Sequence, residues 1–66
     1  MVDVIRLRGI IAERGESQAS TARAIKMPVK TFYRRMQRRI FGSDEIEKLI
    51  DFLDIDEPVP IFFGGE

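Results

Sequence analysis

Apolar residues recur at helical spacing from one end of this chain to the other, and no stretch shows the alternation of a half-buried strand. Over 3–14 (DVIRLRGIIAER), Val4, Leu7 and Ile11 fall on one face with Ile10 beside them, which predicts a first helix. Gly9 weakens its interior by about 1 kcal/mol relative to alanine, and Gly15 supplies the C-terminal stop. Ser17 suits an N-cap for a short second helix over 18–25 (QASTARAI), with Ala19, Ala22 and Ile25 on one side. Small residues at those positions let a neighbouring helix approach closely. Pro28 keeps Met27 extended and suits the first turn of a third helix over 28–39.

On the wheel of that third helix, Val29, Phe32, Met36 and Ile40 share an arc expected to be core, with Tyr33 at its edge. Lys30, Arg34, Gln37 and Arg38 take the opposite side, flanked by Thr31 and Arg35. Gly42 makes a turn, and Ser43 is the expected cap of a fourth helix whose first turn holds Asp44, Glu45 and Glu47. Ile46, Leu49, Ile50 and Leu53 form its buried stripe, and Phe52 lies off it. The tail turns through Pro58 and Pro60 before an apolar triplet, Ile61 to Phe63. The pattern predicts an all-α, compact domain of four to five helices spanning 1–66 as a single unit.

Composition narrows what such a domain can do. With 44% hydrophobic and 33% charged residues the chain should fold, although 66 residues is near the lower limit for an unstapled core. There is no cysteine and no histidine, which removes disulfides, thiolate metal sites and the usual general base. No carboxylate pair stands apart from the helix caps, so no catalytic residue, metal site, cofactor or small-molecule substrate is expected. The acidic stretch DIDE at 54–57 lacks the glycine and distant glutamate of a calcium loop and reads as a solvated turn. Apolar runs are only a few residues long, and Asp3, Arg6 and Arg8 interrupt the N-terminal one. No membrane span or signal peptide is expected, and a cytoplasmic protein is.

Net charge is zero, yet the charges are segregated. Residues 1–16 balance. Residues 17–43 carry Arg23, Lys26, Lys30, Arg34, Arg35, Arg38 and Arg39 with no acid, for a net charge of plus seven. Residues 44–66 carry eight acids against Lys48, for minus seven. Such a chain folds into a strong dipole whose basic pole attracts a polyanion, unless the basic run is merely a solvated helix face.

Two short helices joined by a tight break, the second basic on its exposed side, describe a helix-turn-helix over 17–39. At this point the chain resembles the lambda-repressor-like, Cro-type helix-turn-helix family of phage and bacterial regulators. SQASTARAIKMPVKTFYRRM is similar to that family's SQxxLAxxxGISxxTLSRxI pattern, and SDEIEKLIDFLDIDEPVPIFF to its following helix and ending. The resemblance runs from Ser17 to Phe63. It implies sequence-specific binding of an operator in double-stranded DNA, with helix 28–39 in the major groove, by a repressor-type transcription regulator. It also implies a bacterial or phage origin, with the protein on the nucleoid when bound.

Matched position by position, Val29, Lys30, Tyr33 and Arg34 take the base-reading places, Lys30 and Arg34 being the candidates for guanine. Ser17, Gln18, Thr31, Gln37 and Arg38 take phosphate-contacting places. Ala22 matches the small residue at which the two helices touch, and Phe32 and Met36 the buried positions of the recognition helix. Three positions depart from the pattern: Thr21 replaces the usual leucine, Lys26 the usual glycine, and Pro28 the usual serine cap. Arg35 and Arg39 can face DNA or pair with the acidic fourth helix. One recognition helix discriminates too few base pairs, so a weak homodimer is expected, with Phe52, Ile61, Phe62 and Phe63 as its contact. The competing arrangement folds that tail back into the monomer core. A different function on the same scaffold also fits: a protein-interaction module, antitoxin-like or an assembly adaptor, working through the acidic C-terminal third.

Overall fold

Asp3 starts the first helix, α1 (Val4–Glu13), by accepting the Arg6 amide on its side chain at 3.2 Å. The computed structural model describes residues 1–64, so Glu66, one of the eight C-terminal acids, lies outside the described residues. Gly15 ends α1 at φ +74°, the left-handed conformation glycine adopts without strain. The Gly15 and Glu16 amides then reach back to the carbonyls of Ala12 and Ile11, closing the helix end.

Ser17 caps α2 (Gln18–Ala24) reciprocally with Ser20: each side-chain oxygen accepts the other residue's amide, at 3.0 and 2.9 Å. The same kind of end closes α2, but here Lys26 holds the left-handed position at φ +63°. The third helix, α3, runs Val29–Arg38, one residue shorter at each end than expected, because Pro28 stays extended at ψ 139° and Arg39 turns left-handed at φ +60°. As the Pro28 substitution implied, no side chain caps α3. The fourth, α4 (Ser43–Leu53), begins from Gly42 rather than Ser43, since the Glu45 carboxylate accepts the Gly42 amide at 2.8 Å. A single π-helical turn, Val59–Phe63, closes the described chain. The domain is all-α, and among the described residues no strand occurs and no helix is long and apolar enough to cross a membrane.

Helix α2 packs chiefly on α3, with α1 and α4 against it and the π-helical turn against α1. Leu7, Ala22, Phe32, Leu49 and Leu53 are fully buried at the centre, with Phe32 and Phe41 rings 5.6 Å apart. Ile40 is a correction to the sequence expectation. It is 63% exposed, and Phe41 takes the core position instead. The left-handed Arg39 breaks the 3.6-residue period just before Ile40, so the wheel that placed Ile40 inside no longer applies.

The tail corrects the expected dimer cluster as well. Ile61 and Phe62 are each 4% exposed in the monomer core and are not available to a partner. Phe63 and Phe52 remain outside at 63% and 39%. They do not form one patch, however: Phe63 lies by Ile46, Glu47 and Ile50, and Phe52 projects from the other flank of α4.

Two long-range ties complete the fold. The Arg14 guanidinium donates to the carbonyls of Leu53 (2.7 Å) and Asp54 (3.0 Å), satisfying the end of α4. The amides of Val2 and Asp3 donate to Arg39 O (2.9 Å) and Ile61 O (2.7 Å), so the first residues close over the end of α3 and the π-helical turn.

Candidate nucleic-acid interface

Helix α3 is held by one face and free on the other. Phe32 and Met36 anchor it, and Ala22 of α2, with no exposed surface, leaves room for the two helices to approach closely. Thr21 fills the place of the expected leucine. It is wholly buried, and its hydroxyl donates to Ser17 O at 2.8 Å, so the polar substitution is satisfied within α2.

Opposite the core, Lys30, Arg34 and Arg38 follow each other at four-residue intervals down the exposed side of α3. All three are exposed, and among the described residues none pairs with an acid. Val29, expected among the base readers, is half-buried and packs against the core. Thr31 is half-buried on the Arg35 flank. Tyr33 is 48% exposed.

The open question over Arg35 has a definite answer. Its Nε and Nη2 donate to the two carboxylate oxygens of Glu45 at 3.0 and 2.9 Å, tying the flank of α3 to the first turn of α4. These hydrogen bonds hold the Glu45 carboxyl below its ordinary range, aided by the Gly42 amide and the Arg35 and Lys48 charges, while partial burial opposes them. Arg39 makes no such pair among the described residues; its backbone carbonyl serves Val2 instead.

On the other flank of α3 the fold opens a shallow cleft. Ser17 and Gln18 from the start of α2 line it together with Tyr33 and Gln37 from α3. Arg8 of α1 joins them. Sequence reasoning missed Arg8 because it belongs to the charge-balanced segment 1–16. The available signal was its place on α1, one step around the helix from the buried Leu7. The candidate residues therefore fall into a central cationic stripe (Lys30, Arg34, Arg38) and a polar cleft beside it (Ser17, Gln18, Gln37, Tyr33). No protein-family model, curated protein or solved structure matches this chain.

Proposed function

We propose that this chain is a sequence-specific double-stranded-DNA-binding regulator of the Cro or repressor type, with α3 entering the major groove. The observation that carries the reading is the stripe of Lys30, Arg34 and Arg38, unpaired among the described residues, on a helix whose opposite face is locked into the core. A helix of this size fits the major groove, where arginine and lysine are suited to the paired acceptors of guanine. Lys30 and Arg34 are the base readers on this reading. Arg38, Thr31, Gln37, Gln18 and Ser17 set register on phosphates.

The longest dimension of the molecule is 27 Å, shorter than the roughly 34 Å between successive major-groove faces. Two copies are needed to read two half-sites, and of the expected contact residues Phe63 is the more exposed of the two left outside the core, which makes it the candidate for a weak symmetric contact. The exposed acids of α4 and the following turn favour the rival reading, a protein-interaction module working through that face.

Selection of bound fragments from random duplex DNA by the purified protein separates the two. Recovery of a common motif supports the DNA reading, and recovery of none removes it. With the motif in hand, Arg34→Ala should lose about 1–3 kcal/mol on the selected site and relax preference at one or two base pairs. Arg38→Ala should weaken all sequences alike. Equal losses for both variants on selected and random DNA would refute the division of roles.

A further inference from the structure

The basic pole legible in the sequence begins after Ser17, yet the cleft beside α3 includes a cation from α1. We infer that Arg8 is a DNA phosphate contact, and that the cleft it shares with Gln18, Tyr33 and Gln37 holds a backbone phosphate of one strand while Thr31 and Arg38 meet the other. The inference rests on the DNA reading of α3 and adds a residue and a strand assignment to it.

Three observations carry it. First, the cleft brings donors from three helices together: a guanidinium, two side-chain amides and a phenol, with the Ser17 hydroxyl at its end. Arginine's planar fork matches two phosphate oxygens, and the neutral donors can take the remaining lone pairs. Second, among the described residues no carboxylate lines this cleft. The nearby acid, Glu16, is turned to the Ser20 hydroxyl at 2.7 Å. Arg8 has no acidic partner among the described residues, whereas Arg6 on the same helix lies 3.8 Å from Asp3. Third, the cleft lies on the Tyr33 and Gln37 flank of α3, and Thr31 and Arg38 lie on the opposite flank. A major groove about 12 Å wide is bounded by one phosphate backbone on each side. A helix seated in it therefore needs donors on both flanks: Lys30 leans toward the Tyr33 flank as Arg38 leans toward Thr31, and Arg8 adds a second cation, from α1, on the Tyr33 side.

The test compares Arg8→Ala and Arg8→Gln with Arg6→Ala, by fluorescence anisotropy on two short labelled duplexes across a salt series. One duplex carries the motif recovered by selection, and the other is its scrambled version. Both Arg8 variants should show a salt slope of log K shallower by about 0.9, the value of one phosphate contact. The loss should be equal on both duplexes, the melting temperature should be unchanged, and Arg6→Ala should keep the wild-type slope. Wild-type slopes in both Arg8 variants, or a loss confined to the selected duplex, would overturn the phosphate assignment while leaving α3 as the DNA reader. A wild-type protein that binds neither duplex would overturn both readings together.

Discussion

Replacing Glu45 with glutamine separates two roles that one carboxylate performs. Glu45 accepts the Gly42 amide at the start of α4 and, through both oxygens, the Arg35 guanidinium. Glutamine keeps one acceptor oxygen and serves well at the third position of a capping box, so the start of α4 survives. The second oxygen becomes an amide donor and loses the charge, so the fork from Arg35 is broken. Two consequences have opposite signs. Stability falls, and the pH dependence of that loss follows from the lowered Glu45 pKa. A carboxylate held below its ordinary value contributes fully above about pH 4.3 and loses that contribution as pH falls through the folded-state value. The melting-temperature gap between wild type and Glu45→Gln should therefore be widest near neutrality and close in acid.

DNA binding should move the other way. Arg35 sits on the Thr31 flank of α3, and once freed it adds one cation to the proposed interface. One further phosphate contact steepens the salt slope by about 0.9, roughly a threefold larger loss of affinity between 50 and 200 mM salt. Anisotropy titrations across that range, beside calorimetric melts from neutral pH to below 4, read both effects. A variant with the wild-type slope and a melting gap that does not change with pH would show that the pair neither withholds Arg35 nor steadies α4.

Three further outcomes follow from the fold. Lys26→Gly should raise stability by about 0.5–1 kcal/mol, or several degrees in the melting transition, because glycine relieves the left-handed backbone at φ +63°; an unchanged or lower melting temperature would count against strain there. Thr21→Val should change stability by less than about 1 kcal/mol, since Ser17 O retains the Thr21 amide, whereas Thr21→Leu should cost about 1–3 kcal/mol by overpacking a wholly buried site; thermal melts that rank the two in reverse would refute this account. Phe63→Asp should leave the melting transition in place and abolish cooperative binding to palindromic DNA, because Phe63 is 63% exposed; a collapsed transition would place its ring in the core.

Local signals in the sequence were legible, and the distant ones were not. Gly15 and the serine at 17 marked a helix end and a helix start, because a left-handed turn and a cap each depend on one or two residues. The core stripes of α1 and α4 were legible from their period. Ile40 was misplaced because one left-handed residue, Arg39, resets the phase of every position after it, and arginine gives no hint of such a conformation. The Arg14 tie to the end of α4 spans 39 positions, and the Val2 amide reaches a carbonyl at the far end of α3. Neither leaves a local pattern. The same limit hid Arg8 in the site: its sequence neighbours are balanced, and only packing of α1 beside α2 and α3 brings it to the cleft.

The separated charges also bear on why such a domain would keep them apart. Across the boundary between the basic and acidic segments, a single ion pair forms among the described residues, Arg35 with Glu45. Arg14 also crosses to α4, but to backbone carbonyls rather than to a carboxylate. Asp44, Glu47, Asp51, Asp54, Asp56 and Glu57 stay exposed in the acidic segment, and Arg23, Lys26, Lys30, Arg34, Arg38 and Arg39 in the basic one, none of them in an ion pair among the described residues. A fold using these charges for its own stability would interleave them, because surface pairs form at little cost wherever opposite charges lie in reach. Leaving them segregated maintains a field at the expense of internal pairing. On the proposed reading that field turns the molecule as it approaches DNA, so that α3 leads and the acidic face trails. It also limits what the acidic face can do there. Two copies on neighbouring half-sites would bring like-charged surfaces together, so their contact must rest on a small apolar area such as Phe63 and weaken as salt is removed. Salt should therefore act in opposite senses on the two steps, weakening each copy's hold on phosphate while easing the contact between copies.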